Sequence, residues 1–130
     1  MISTCMGVDG ELDAQIVKLF SHVLNAHSIW NSRIAVEAVE TGGWDLQPET
    51  NWLGLHEQNQ MNSLDIIEGC QLDDLTKYSN SLGKEYVNSV QDILFHVINH
   101  STHHRAQIAT ILSSLGVRVV ASDFIMYKRG

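Results

Sequence analysis

Three segments of the chain carry hydrophobic residues at the three- and four-residue spacing of an amphipathic helix. The first runs from Glu11 to about Glu40, the second from Leu53 to about Gly69, and the third from Val90 to Leu115. This spacing places the apolar side chains on one face of a helix, where they can pack against a neighbouring element. The pattern therefore predicts a protein built mainly from three long helices.

Local signals mark the ends of these helices. We expect the first helix to stop at Thr41-Gly42-Gly43, since glycine commonly terminates helices. Ser89 is a suitable N-cap for the third helix, with Asp92 at the capping-box position. Gly116 stands directly after the last periodic residue of that helix. The third helix is thus the best defined of the three.

The segments outside the helices carry weaker signals. Trp44 to Trp52 contains the only proline and is predicted to be a loop. Leu72 to Lys77 is expected to extend the second helix or to form a short helical turn. Serine, asparagine and glycine favour a small hairpin or an ordered loop over Tyr78 to Tyr86. We expect residues 1–10 to be irregular, and the tail Val117–Gly130 to be extended and to pack back on the helices.

Composition narrows the class of protein. The 130 residues, 44% of them hydrophobic and 18% charged, fit a single domain spanning residues 1–130. The net charge of −7 disfavours nucleic acid and anionic membranes as partners. No apolar run reaches the roughly 18 residues that a transmembrane helix needs. Residues 1–10 lack the features of a signal peptide, so we expect a cytoplasmic protein.

Histidine is the unusual residue type, with seven in the chain and four of them between His96 and His104. His100 and His104 fall at the centre of the apolar stripe of the third helix, which is formed by Ile93, Val97, Ile108, Ile111 and Leu115. Imidazoles four residues apart lie on one helix face, about 6 Å apart along the axis. Both can therefore bind one ion, and we predict a divalent metal site there.

A third ligand is needed, and it must come from another segment. His96 is excluded as a co-ligand with His104, because eight residues of helix separate them by about 12 Å. The remaining candidates are His22 and His27 on the first helix and His56 on the second. The helical pattern slightly favours His27, which lies closer to the centre of the apolar face.

Two blocks of the sequence and its tail match a known family pattern. The first block comprises Leu19–Ala26, Ile29-Trp30 and Arg33. The second comprises Asp92–Leu94, His96-Val97, Asn99–Thr102, His104-Arg105, Gln107-Ile108 and Gly116, and the tail adds Ser122–Ile125, Tyr127 and Arg129. With these residues the chain resembles the DinB-like (DinB/YfiT) family of metal-dependent enzymes, and the resemblance covers most of the chain from residue 12 onward. Its second block is the more specific, because it combines the histidine pair with an arginine and a glutamine.

The resemblance implies an all-α fold, an up-down-down-up four-helix bundle with a small hairpin or ordered loop before the last long helix. It also implies that three histidines hold the metal. By position these are His22, His100 and His104, so the resemblance selects His22 in place of His27. Only 21 residues precede His22. We therefore expect the family's first helix to be shortened or missing, and a homodimer to complete the bundle.

Three histidine ligands leave one coordination position for water or substrate, which is the arrangement of a catalytic metal site. All-nitrogen ligation suits zinc or nickel. The first hypothesis is a metal-dependent hydrolase, in which the ion lowers the pKa of a bound water. The resemblance also implies a second, a metal-dependent thiol S-transferase or isomerase that uses a low-molecular-weight thiol. The third hypothesis is a non-catalytic metal-binding stress-response protein.

Some polar and aromatic residues are candidates to support such a site. Those that could orient the imidazoles are Asn99, Gln107 and Asp123, although Asn99 and Gln107 could instead tie one helix to another. Arg105 could bind a substrate carboxylate, or it could fix Asp123 or the tail. Trp30 and Trp44 could line a pocket or belong to the core. The sequence does not identify a general base.

Overall fold

The computed structural model describes residues 1–8 and 10–129, and within them the chain is mostly helical with one small antiparallel sheet. The elements in chain order are α1 (Ile2–Met6), α2 (Ala14–Ala35), α3 (Trp52–Gly69), β1 (Leu75–Ser79), β2 (Glu85–Ser89), α4 (Val90–Ser114) and α5 (Phe124–Lys128), with a 3₁₀ turn at Glu49–Asn51. The three long helices predicted from the sequence are thus confirmed. In the described residues no helix has the length and apolarity to cross a membrane.

Helix α2 is the central element, because it packs against both α3 and α4. It begins after Asp13, whose carboxylate accepts hydrogen bonds from the backbone N–H groups of Gln15 and Ile16. α4 begins after Ser89, and the Ser89 hydroxyl accepts a hydrogen bond from the backbone of Asp92, as the sequence predicts. The helical family fold is compatible with this arrangement. The four-helix bundle and the homodimer stay predictions.

The end of α2 lies earlier than predicted. The helix stops at Ala35, and Val36 adopts the left-handed conformation (φ 57°, ψ 42°) instead of the helix continuing to about Glu40. The negative charges of Glu37 and Glu40 would oppose the dipole at a helix C-terminus. Gly42 and Gly43 therefore belong to the following loop and do not terminate the helix.

The segment Leu72–Lys77 was expected to be helical, and that prediction is wrong. Leu75–Ser79 pairs with Glu85–Ser89 as an antiparallel hairpin, in which Tyr78 lies opposite Tyr86. Thr76 and Tyr78 point toward the helices while their neighbours are exposed, which is the two-residue period of a strand. The hairpin predicted over Tyr78 to Tyr86 is confirmed, but it begins earlier.

Both ends of the chain also differ from the prediction. Residues expected to be irregular form α1, whose Cys5 is buried in the core. The tail does pack back on the helices through Val117 and Val119. It is not extended throughout, however, because Phe124–Lys128 forms α5 and exposes its large apolar side chains. At the N-terminus the burial of Cys5 accompanies the formation of α1, and in the tail local helical hydrogen bonds form α5.

The core consists of two apolar clusters along α2 and α4. The first contains Cys5, Leu12, Ile16, Leu19, Phe20, Leu24, Trp52, Ile108 and Leu112. The second contains Ile34, Ile66, Val90 and Ile93, with Trp30, Cys70, Tyr78 and Leu94 packed against it. On α4 the buried apolar residues before position 98 and after position 107 are separated by the turns that carry His100 and His104. This gap between the two clusters is where the histidines lie.

Trp52 anchors the first cluster. Its side chain is completely buried, stacks on Phe20 with ring centroids 4.3 Å apart, and donates its indole N–H to the carbonyl oxygen of Gln47. We expect Trp52→Ala to lower the free energy of unfolding by about 3–5 kcal/mol, because it opens a cavity in the core. Urea denaturation followed by circular dichroism measures this. Leu53→Ala is the control, since Leu53 is 55% exposed. Equal losses in the two variants would contradict the assignment of the core.

Candidate metal centre

Three histidines from two helices meet between the two apolar clusters. His22 lies on α2, and His100 and His104 lie one turn apart on α4. One ring nitrogen of each lies within 4.8 Å of the others, and all three side chains are half-buried. The histidine pair predicted on α4 thus lies beside His22, the histidine that the family resemblance selects. The group has the composition and spacing to hold a metal ion.

The ring of His22 is oriented by a backbone carbonyl. Its Nδ1 lies 2.7 Å from the carbonyl oxygen of Gly43, which can only accept a hydrogen bond. Nδ1 therefore carries the proton, and Nε2 of the neutral ring has a free lone pair. That Nε2 lies 3.0 Å from Nε2 of His100. The carbonyl of Gly43 thus turns the ligating nitrogen of His22 toward α4.

The loop that carries Gly43 is fixed to α2 by buried polar side chains. The Asn25 side chain donates to the carbonyl oxygen of Asp45 (2.7 Å) and accepts from the Gln47 amide (2.9 Å). The Ser21 hydroxyl accepts the backbone N–H of Gln47 at 2.9 Å. Because Ser21 and Asn25 are on the same helix as His22, the loop and the ring keep a fixed relation.

Gly42 lies close to the Asp45 side chain within this loop. The Gly42 backbone N–H donates to the Asp45 carboxylate at 2.7 Å. A Cβ atom on Gly42 would lie only 2.8 Å from an oxygen of that carboxylate, closer than side-chain atoms pack. The glycine pair, which the sequence suggested as a helix stop, therefore serves the loop beside the histidines.

Gln107 orients the ring of His104. Its side-chain oxygen lies 2.7 Å from Nδ1 of His104, so this ring also carries its proton on Nδ1 and has its lone pair on Nε2. Of the three residues considered for orienting the imidazoles, Gln107 is the one that contacts a ring of the group. Asn99 and Asp123 are both exposed, and within the described residues neither forms a hydrogen bond with the three rings. Arg105 donates to the hydroxyl of Thr102 rather than to Asp123.

The surroundings favour the neutral form of two of the rings, His22 and His100. Burial lowers the pKa of His100 to about 4, and positive charge on His104, His22 and the neighbouring histidines of α4 would lower it as well. Burial also lowers the pKa of His22, although its hydrogen bond to Gly43 acts in the opposite direction. Neutral imidazole is the form that binds a metal ion. The donor set therefore fits a divalent cation.

Trp44 covers one side of the group. Its ring stacks on His22 with centroids 3.6 Å apart and planes 2° from parallel, and it lies 6.2 Å from His104. Half of its surface is exposed, and the Lys18 ammonium lies 5.4 Å from its ring centroid. Trp44 therefore forms a wall beside the histidines rather than part of the core. No signal in the sequence paired it with His22.

His27, which the helical pattern slightly favoured as the third ligand, has a different role. Its Nε2 lies 2.7 Å from the Ser63 hydroxyl, which donates in turn to Asn31 at 3.0 Å. Asn31 then donates to the backbone carbonyl of Asn59. This network ties α2 to α3, so His27 is directed away from α4. His56, the other candidate, is also outside the three-histidine group.

Comparison with known proteins agrees with this geometry. A family model described as the DinB family matches residues 9–130. The chain belongs to the DinB family. The searches of curated proteins and of solved structures found no match. Family membership and the cluster of His22, His100 and His104 thus support each other, because the match is to sequence and the cluster is a property of the fold.

The buried network at His27 makes a prediction about acid stability in this DinB protein. Burial, and then the charge of His56, lowers the pKa of His27 below its ordinary value of 6.5. Below pH 6.5 the unfolded chain therefore binds a proton that the folded chain does not. The contribution of neutral His27 to the free energy of unfolding is complete above that pH and is lost as the pH falls.

We expect His27→Gln to weaken the fall in stability between about pH 7 and about pH 5. The glutamine amide can still donate to Ser63 but does not titrate. Urea denaturation of the metal-free protein at several pH values measures the slope. Part of the slope remains in the variant, since His22 and His100 also have lowered pKa values. Parallel stability curves for variant and wild type would contradict the prediction.

Proposed function

We propose that this DinB-family protein is a metal-dependent hydrolase whose divalent ion is held by His22, His100 and His104. The observation that supports it is the convergence of two imidazoles whose Nδ1 protons are committed elsewhere. The carbonyl of Gly43 and the side chain of Gln107 fix these protons, so the Nε2 lone pairs of His22 and His104 remain available. The Nε2 of His22 faces Nε2 of His100 at 3.0 Å, and a shared cation could take the place of that contact.

The ion would supply an open coordination position on which a water, or another exogenous ligand, has a lowered pKa. The residues of the chain contribute orientation and access. Gly43 and Gln107 hold two of the rings in the ligating tautomer, and Trp44 shields one side while leaving the group half-exposed. Zinc and nickel are among the ions that imidazole ligands suit.

A second candidate is a metal-dependent thiol S-transferase or isomerase that uses a low-molecular-weight thiol. The observation that favours it is that Asp45, the acidic residue of the loop beside His22, is already hydrogen-bonded within that loop. The Asp45 carboxylate binds the backbone N–H of Gly42 and the hydroxyl of Thr41, so it is committed to the loop. Hydrolysis gains from a general base that accepts a proton from water. A thiol, which is far more acidic than water, becomes a nucleophile without one.

The metal site is tested by elemental analysis. We expect the purified protein, stripped with a chelator and reloaded with zinc or nickel, to hold about one ion per chain. The double variant His100→Ala/His104→Ala is expected to lose the ion on dialysis, because a single remaining imidazole binds weakly. Retention at the wild-type level by this variant would refute the assignment.

Two single variants provide a matched control on α2. His22→Ala should lose tightly held metal, and His27→Ala should keep it, since His27 contacts Ser63 rather than the other rings. Circular dichroism shows whether each variant is folded. The proposal fails if the two variants lose metal equally while both remain folded.

Turnover separates the two reactions. The metal-loaded protein is assayed against a panel of esters and amides, and against low-molecular-weight thiols mixed with electrophilic acceptors. A hydrolase releases acid from the first panel at a rate that falls at least about 100-fold in the His100→Ala/His104→Ala variant. Loss of free thiol in the second panel alone supports the S-transferase. Metal binding without turnover on either panel indicates a non-catalytic metal-binding protein.

A further inference from the structure

A cavity lies beside the histidine group, between α2, the hairpin and α4. Its volume is about 250 Å³, and it is lined by Trp30, Tyr78, Asn88, Asp92, Ile93 and His96. Two of its lining residues, Asp92 and His96, are exposed to solvent. None of these residues belongs to the proposed metal site, so the cavity needs its own explanation.

The aromatic walls of this cavity meet at steep angles. The rings of Trp30 and Tyr78 have centroids 4.9 Å apart and planes 79° apart. The rings of Trp30 and His96 are 5.2 Å apart, with planes at 71°. The three rings line the cavity together and offer aromatic surface to one small guest. Proteins bind alkylated ammonium groups in aromatic cages of this kind, because the ring faces attract cations.

The rings of the corner already attract one cation of the chain. The Arg33 guanidinium lies 4.4 Å from the Trp30 centroid and 5.0 Å from the Tyr78 centroid. It also donates to the carbonyl oxygen of Ser79, which fixes it to the hairpin. Arg33 does not line the cavity, so it leaves space for a guest. Its presence indicates that both rings are suited to positive charge.

The polar groups of the cavity favour a cation as well. Asp92 contributes a carboxylate that forms no salt bridge among the described residues. Its negative charge offsets the repulsion that Arg33 would exert on a positively charged guest. The hydroxyl of Tyr78 donates to the Asn88 side chain at 2.7 Å, which fixes the ring that forms one wall. The cavity therefore combines aromatic side chains with one carboxylate.

We propose that this cavity is a binding site for a small molecule that carries a quaternary or alkylated ammonium group. The proposal goes beyond the metal-dependent reaction, because it does not require the ion. The two sites adjoin each other, since the ring of His96 lies 5.6 Å from that of His100. One ligand long enough to span a helical turn could contact both.

Choline and 3,3-dimethyl-1-butanol provide a matched pair of probes. They have nearly the same shape, but only choline carries a positive charge. Both are titrated into the metal-free protein while the indole N–H signals are followed by NMR, with sodium chloride held constant. We expect choline to shift the Trp30 signal in a saturable manner, and the neutral alcohol to bind about tenfold more weakly or not at all.

The other two tryptophans act as internal reporters. Trp52 is completely buried and should not respond. Trp44 lies beside His22 and also has a cation near its ring. A shift confined to Trp44 would place the ammonium group at the metal centre and overturn the proposal. Equal affinity for the two probes would also overturn it.

Variants of the residues that line the cavity distinguish specific from non-specific binding of choline. Tyr78→Leu removes a wall and Asp92→Asn removes the charge at nearly constant shape, so both should weaken choline binding severalfold. Tyr78→Phe retains the ring and should bind choline nearly as wild type does, which controls for damage to the hairpin. Unchanged affinity in both Tyr78→Leu and Asp92→Asn would refute the cage.

Discussion

The packing of α2 against α4 is the contact on which the rest of the structure depends. It is the contact that brings His22, from one end of the sequence, to His100 and His104 near the other. Apolar clusters lie at both ends of the contact, with Ile16, Phe20, Ile108 and Leu112 in one and Ile34, Val90 and Ile93 in the other. Burial of both apolar clusters holds α2 against α4. The three imidazoles between the clusters are therefore kept together by hydrophobic packing on either side.

This placement has an energetic consequence for the imidazoles. Half-buried rings that face one another favour their neutral forms, and the lowered pKa values of His22 and His100 express that preference. The contact between the Nε2 atoms of His22 and His100 joins only two of the rings, whereas a cation could interact with all three. The polar side chains that orient them, directly or through the loop, are therefore part of the site: Ser21, Asn25, Gln47 and Gln107. A site oriented before a ligand arrives loses less entropy on binding.

The aromatic cavity and the histidine group share one geometric origin. On α4, Asp92, His96, His100 and His104 follow one another at four-residue intervals, so they form a continuous polar edge along the helix. The first two face Trp30 and the hairpin, and the last two face His22 and Trp44. One helix face thus presents both sites to the same side of α2. The hairpin contributes Tyr78, which lines the cavity together with Asp92 and His96.

The sequence by itself determined the three long helices and the histidine pair, because both depend on spacing within one helix. A four-residue interval places His100 and His104 on one face whatever surrounds them. Family resemblance added His22. Only the tertiary structure decided what depends on distant contacts. It ends α2 at Ala35, turns Leu75–Ser79 into a strand, and joins His27 to Ser63 rather than to α4. The tertiary structure also places Gly43 and Trp44 against His22. The path of their loop depends on its hydrogen bonds to Ser21 and Asn25, which spacing within one helix does not reveal.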